Sequence, residues 1–144
     1  MEKFKDILKA KRKELELKQK DLADELGISY MTVSHWEMGA IPTFFLIDAL
    51  ADFFGCSVDE LCGRTGYTYK PPKKMREFKD ILYDKLFEKN IDYNVFAEMI
   101  GVGYNAVWGW TSGRTYPNLK MLCDIADALG CSIDELMGRK LKKE

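Results

Sequence analysis

The chain repeats itself, and that constrains its fold more than any other feature. FKDIL at 4–8 recurs at 78–82, and GCSVDELCGR at 55–64 recurs as GCSIDELMGR at 130–139. The offset is 74 residues through Gly39/Gly113 and 75 from Pro42/Pro117, so one residue is inserted in the loop between. Over 4–39 and 42–64 the copies share 24 identities in 59 aligned positions. Self-similarity at this period means one small unit used twice. The expected organisation is domain 1 over 1–64, a linker over 65–76 and domain 2 over 77–144. The linker, TGYTYKPPKKMR, is rich in Gly, Pro and Lys, and Pro71-Pro72 should hold part of it extended. Each copy is near the lower size limit for a domain without metal or disulfide support.

Within each copy the apolar spacing is helical and the breaks are short. Phe4, Ile7, Leu8, Leu15 and Leu17 outline a first helix with a basic outer face. Gln19 to Leu26 forms a short second helix, with Gly27 in the position of a C-terminal cap. Ser29 caps a third helix from Tyr30 to Met38, which Gly39 ends. A fourth runs from Thr43 to Phe54, and Ser57 with Glu60 forms a capping box for a fifth, VDEL. No segment alternates with period two, so the fold class is all-α.

Composition removes several functions. The 144 residues are 47% hydrophobic and 31% charged, too apolar for disorder. No apolar run approaches a membrane span, and MEKFKDILKAKRKEL lacks the unbroken apolar stretch of a signal peptide, so the expected location is cytoplasmic with no membrane contact. Four cysteines, spaced without a CxxC, and one histidine do not suit a zinc site. Small buried apolar thiols are the expected use, with no cofactor. One histidine and no glycine-rich phosphate loop leave catalysis without a constellation, so an enzyme is not expected. The net charge of −1 argues against a broad basic footprint, so any attraction to nucleic acid must be local.

The stretch LADELGISYMTVSHWEMGAIP carries the chemistry. Two short helices meet at a glycine, and the second keeps Ile28, Val33 and Trp36 for the core while presenting other side chains outward. Gln19, Leu22, Ala23, Gly27, Ile28, Ser29, Val33, Trp36, Glu37, Gly39 and Pro42 resemble the helix-turn-helix domain of phage repressors and Cro, the xenobiotic-response-element family. The resemblance covers both repeats. It implies two tandem lambda-repressor-like five-helix domains that bind double-stranded DNA, with the third helix in the major groove. Base-reading positions would be Ser29, Tyr30, Met31, Ser34 and His35, and phosphate contacts would come from Lys18, Gln19, Lys20 and Thr43. The resemblance also implies that Arg12 braces Glu37.

The copies differ where that surface lies. Between Leu15 and Leu22 no residue persists in copy two, and between Ile28 and His35 only Tyr30 and Val33 do. Arg12 and Glu37 become Leu86 and Thr111 together, as expected if one buried charge without its partner is costly. Copy two's reading face would be Gly103, Tyr104, Asn105, Trp108 and Gly109, with Arg114 and Lys120 on phosphate. Against this, Lys18, Gln19 and Ser29 have become Asp92, Tyr93 and Gly103. A second DNA half-site is the leading expectation. A degenerate domain used for self-association or a protein partner, and a Trp108 buried by the linker, stay open beside it.

The functional expectation is a sequence-specific transcriptional regulator that represses by occluding a promoter. The chain ends after the second copy with RKLKKE, which leaves regulation to abundance, degradation or a partner. The alternative is a helix-turn-helix-derived interaction module, an antirepressor or adaptor. Homodimerisation is left open.

Overall fold

The computed structural model describes residues 2–66 and 76–140, and every regular element among them is helical. Residues 2–66 form one compact unit and 76–140 a second. The expected linker falls outside the described residues except at its ends, as does the tail beyond Lys140.

Domain 1 contains α1 (Glu2–Glu14), α2 (Gln19–Leu26), α3 (Tyr30–Glu37), α4 (Phe44–Phe54) and α5 (Val58–Cys62). Domain 2 repeats them as α6 (Phe78–Glu88), α7 (Tyr93–Ile100), α8 (Tyr104–Ser112), α9 (Leu119–Leu129) and α10 (Ile133–Met137). The turn between the two short helices is alike in both: Gly27 (φ 68°) and Gly101 (φ 74°) take the left-handed conformation that ends α2 and α7. Ser29 Oγ accepts from Met31 N at 3.2 Å to start α3, and Ser57 and Ser132 cap α5 and α10. Only half of the expected capping box on α5 forms. Ser57 accepts from Glu60 N at 2.9 Å, while the Glu60 carboxylate reaches Lys11 of α1 at 2.8 Å.

The first helix is shorter than its apolar pattern suggests. It ends at Glu14, and Leu15 lies beyond it, half exposed. The chain must reverse to begin α2, and it does so through Glu16 in the left-handed region (φ 57°), as Asn90 does in copy two (φ 54°). Leu17 N returns to Arg12 O, and Arg12 Nη1 donates to Leu17 O at 2.8 Å, which fastens the turn.

Each domain has its own core. In domain 1, Phe4 and Leu8 of α1 meet Leu22 of α2, Val33 and Trp36 of α3, and Ile47, Leu50 and Leu61 of α4 and α5. In domain 2, Phe78, Leu82 and Leu86 take the place of α1's apolar face, with Phe96, Val107, Trp110, Leu122 and Ile125 opposite. Two ion pairs recur in both copies. Lys11–Glu60 and Lys85–Glu135, each 2.8 Å, tie the first helix to the fifth, and Asp59–Arg64 and Asp134–Arg139 close the end of the fifth. Burial alone would lower the Lys85 pKa, but the bond to Glu135 and the nearby charges of Glu135, Cys131 and Glu88 together carry the ammonium above its usual value. Cys62, Cys123 and Cys131 are buried and Cys56 is half-buried. Among the described residues no helix is long and apolar enough to cross a membrane.

Candidate nucleic-acid interface

In domain 1 the turn at Gly27 sets α2 and α3 at an angle, with the core side of α3 held by Val33 (0% exposed) and Trp36 (3%). The opposite side of α3 is open. Tyr30 and Met31 are more than half exposed, at 56% and 53%, and Ser29 and His35 are also exposed. Ser34 is half-buried, at the edge of this face. Lys18 and Lys20 flank the start of α2 in solvent, Gln19 is half-buried between them, and Thr43 is exposed at the start of α4. The expected base-facing and phosphate-facing side chains are therefore accessible, Ser34 and Gln19 partly so.

Beneath that surface lies a buried polar brace. Arg12 Nε and Nη2 donate to the two oxygens of Glu37 at 2.7 and 2.8 Å, a forked pair with both side chains almost fully buried. Gln19 Nε2 donates to the same carboxylate at 3.3 Å. One carboxylate at the end of α3 thus joins α1 to the first residue of α2. Burial by itself would raise the Glu37 pKa, but hydrogen bonds from Arg12 and Gln19, together with the charges of Arg12 and Lys9, hold the carboxyl below its usual range. The same bond to Glu37 raises the Arg12 guanidinium further. The pair that the resemblance implied is present, and it extends to Gln19. With one amide N–H on Glu37, Gln19 retains a second donor beside the backbone N–H groups that open α2.

Domain 2 lacks each part of this arrangement. Leu86 is buried where Arg12 would be, and Thr111 Oγ1 donates back to Val107 O at 3.0 Å within its own helix. Asp92 caps α7 by accepting from Val95 N at 2.9 Å, so a carboxylate stands where Lys18 stands in domain 1. Gly103 opens α8 with no side-chain cap. Tyr104, Asn105 and Arg114 are exposed, and Lys120 is exposed but bonded to Asp124 at 3.0 Å. Trp108 is 49% exposed, and most of the linker that was the alternative cover for it lies outside the described residues. Gly109 must be removed from the reading face, because it is buried. The inserted loop residue explains this. Arg114 N and Thr115 N both donate to Gly109 O, which folds the longer loop onto α8, and a Cβ at position 109 would run into the Thr115 side chain.

Two pairs of residues on this surface escaped the sequence reading. Lys9 and Lys13, exposed one turn apart on α1, correspond to Tyr83 and Phe87 on α6. Lys9 acts on Glu37 electrostatically, which places its charge on the brace side of domain 1. Tyr83 and Phe87 stack at 6.3 Å between ring centroids. With Tyr93 and Tyr104 they line an open groove of about 450 Å³, floored by Leu86 and Ile91. Tyr93 also lies 6.1 Å from the Trp108 ring. The signal was legible: solvent-facing lysines four apart that both become aromatic in the second copy.

The helix-turn-helix family matches residues 8–61 and again residues 85–136. Over 63 residues the chain is 40% identical to the cryptic phage CTXphi transcriptional repressor RstR of Vibrio cholerae, a match covering 43% of this chain and 56% of that relative. The match therefore spans little more than half the relative's length. No solved structure matches the chain significantly.

Proposed function

The chain belongs to the helix-turn-helix family, and on that premise we propose that it is a sequence-specific double-stranded DNA-binding regulator of transcription that represses by occluding a promoter. The observation that carries this reading is the open face of α3, mounted on the Arg12–Glu37–Gln19 brace. A rigid helix with free side chains on one side and neighbouring cations is what groove insertion needs. Tyr30 and His35 offer donors and acceptors to base edges, Met31 offers an apolar contact to a thymine methyl, and Ser29 and Ser34 lie beside them. Gln19, Lys18, Lys20 and Thr43 are assigned to phosphate, and Lys9 and Lys13 join them as further cations. A repressor among its relatives supports the direction of regulation.

On this assignment the attraction to DNA comes from a few local lysines, since the whole chain carries −1. Binding should therefore depend strongly on salt. Selection of duplexes from a random library, followed by gel shifts at rising ionic strength, tests the reading. An enriched motif with affinity falling steeply in salt supports it, and flat or absent binding overturns it.

A second reading applies to domain 2. A DNA-reading role would use Tyr104, Asn105 and Trp108 on bases and Arg114 and Lys120 on phosphate. The exposed aromatic groove, with Asp92 in place of a lysine, favours a protein contact instead, since aromatic rings and a carboxylate gain nothing from phosphate. Replacing Asn105 and Arg114 by alanine decides between the two: unchanged DNA affinity supports the protein contact.

A further inference from the structure

We propose that the groove between α6 and α8 is the self-association surface of this protein, and that its occupant is the same groove of a second copy. This rests on the reading of domain 2 as a protein-contact domain. The first ground is exposure. Phe87 is 75% exposed, and Tyr83, Trp108 and Tyr104 are 50%, 49% and 46% exposed, all on one surface of a domain that has a filled core of its own. Aromatic side chains of this size present together on the order of 400–600 Å². That is the size of the largest apolar patch on a typical monomer, which is often functional, and about half to three quarters of the roughly 800 Å² per partner of a stable interface.

The second ground is the pattern of replacement. At this surface domain 1 has Lys9, Lys13, Gln19 and Ser34, and domain 2 has Tyr83, Phe87, Tyr93 and Trp108. Two cations have gone and four aromatic rings have come, on a scaffold that both domains share. The groove retains a single formal charge, Asp92, at its edge. Phosphate contact is lost and apolar contact is gained in one set of changes.

Shape and charge select the occupant. A two-fold interface brings one patch against itself, so the patch must hold both a projection and a hollow. Phe87 projects, and the hollow over Leu86 and Ile91 lies directly beside it. Ring-on-ring packing of Tyr, Phe and Trp is its own complement. The chain's net charge of −1 offers little repulsion between copies.

Sedimentation equilibrium of the full chain without DNA is the test, with Tyr83→Lys, Phe87→Lys and Trp108→Ser as variants. Each installs the residue domain 1 carries at the matching position, so the fold tolerates it. The wild type should be a dimer whose affinity barely changes with salt. The triple variant should associate at least about thirtyfold more weakly, the loss usual when interface anchors are truncated. Trp36 and Trp110 are buried, so Trp108 emission should shift to the blue as wild-type concentration rises, and Phe87→Lys should abolish that shift. A monomeric wild type, or a dimer that the variants leave intact, overturns the proposal. If the wild type is monomeric and the triple variant changes DNA affinity, the protein-contact reading of domain 2 falls as well. If DNA affinity is unchanged, only self-association falls.

Discussion

Tyr30 and His35 illustrate how exposure separates a reading residue from a core residue. Both lie on the solvent side of α3, while Val33 and Trp36 on the other side are buried. Changing Tyr30 and His35 to alanine should abolish specific DNA binding and move the melting temperature little, because exposed side chains contribute little to folding. A large loss of stability in calorimetry would mean that the face is packed. Arg12 and Glu37 are the opposite case. Arg12→Leu alone leaves a buried carboxylate without its forked partner and should cost roughly 3–5 kcal/mol. Adding Glu37→Thr recreates the pair found in domain 2, Leu86 and Thr111, and should recover most of that loss. A double variant as unstable as the single one would show that the loss does not come from the carboxylate left without its partner. The pair was implied by the family resemblance and supported by the correlated substitution, but the contact from Gln19 was not foreseen. That contact depends on how the turn after α1 delivers the start of α2, and Glu16 gives no sign that it will adopt a positive φ.

At the scale of elements, the glycines, caps and apolar spacing placed the helices, because these signals act within a few residues of where they are written. Gly27, Ser29 and Ser57 do in space what their chemistry suggests. The exceptions arise where a distant segment competes. Leu15 continues the apolar spacing of α1, yet the helix stops before it so that the chain can turn back. Gly109 occupies a reading position by register, yet the loop lengthened by one residue lies across it. Gly109→His, which restores the domain 1 residue, should therefore destabilise domain 2 by about 1–3 kcal/mol through overpacking. Deleting Thr115 as well shortens the loop to domain 1's length and should return much of the stability. If denaturant melts show Gly109→His to be neutral, the loop does not confine the helix.

The whole molecule is two cores, not one. Trp36→Ala should cost domain 1 roughly 3–5 kcal/mol, the usual loss for a truncated buried aromatic. Hydrogen exchange should show faster opening of α2 and α3 while α7 to α9 keep their protection, and equal loss in both would contradict separate cores. This division, the all-helical class and the helix-turn-helix arrangement were determined by the sequence alone. A repeat reports its own boundaries, and helical periodicity, caps and turn glycines are local physics. What only the tertiary structure decided is that the second domain's surface aromatics meet around one groove. Tyr83, Phe87, Tyr93, Tyr104 and Trp108 lie on three helices and read in the chain as isolated aromatics. Packing of α6 against α8 and of α7 against α8 gathers them around one groove, and their joint exposure is a property of that packing. The same holds for the Glu37 carboxylate, whose partners lie 25 and 18 residues away and meet it only because the core brings three helices together.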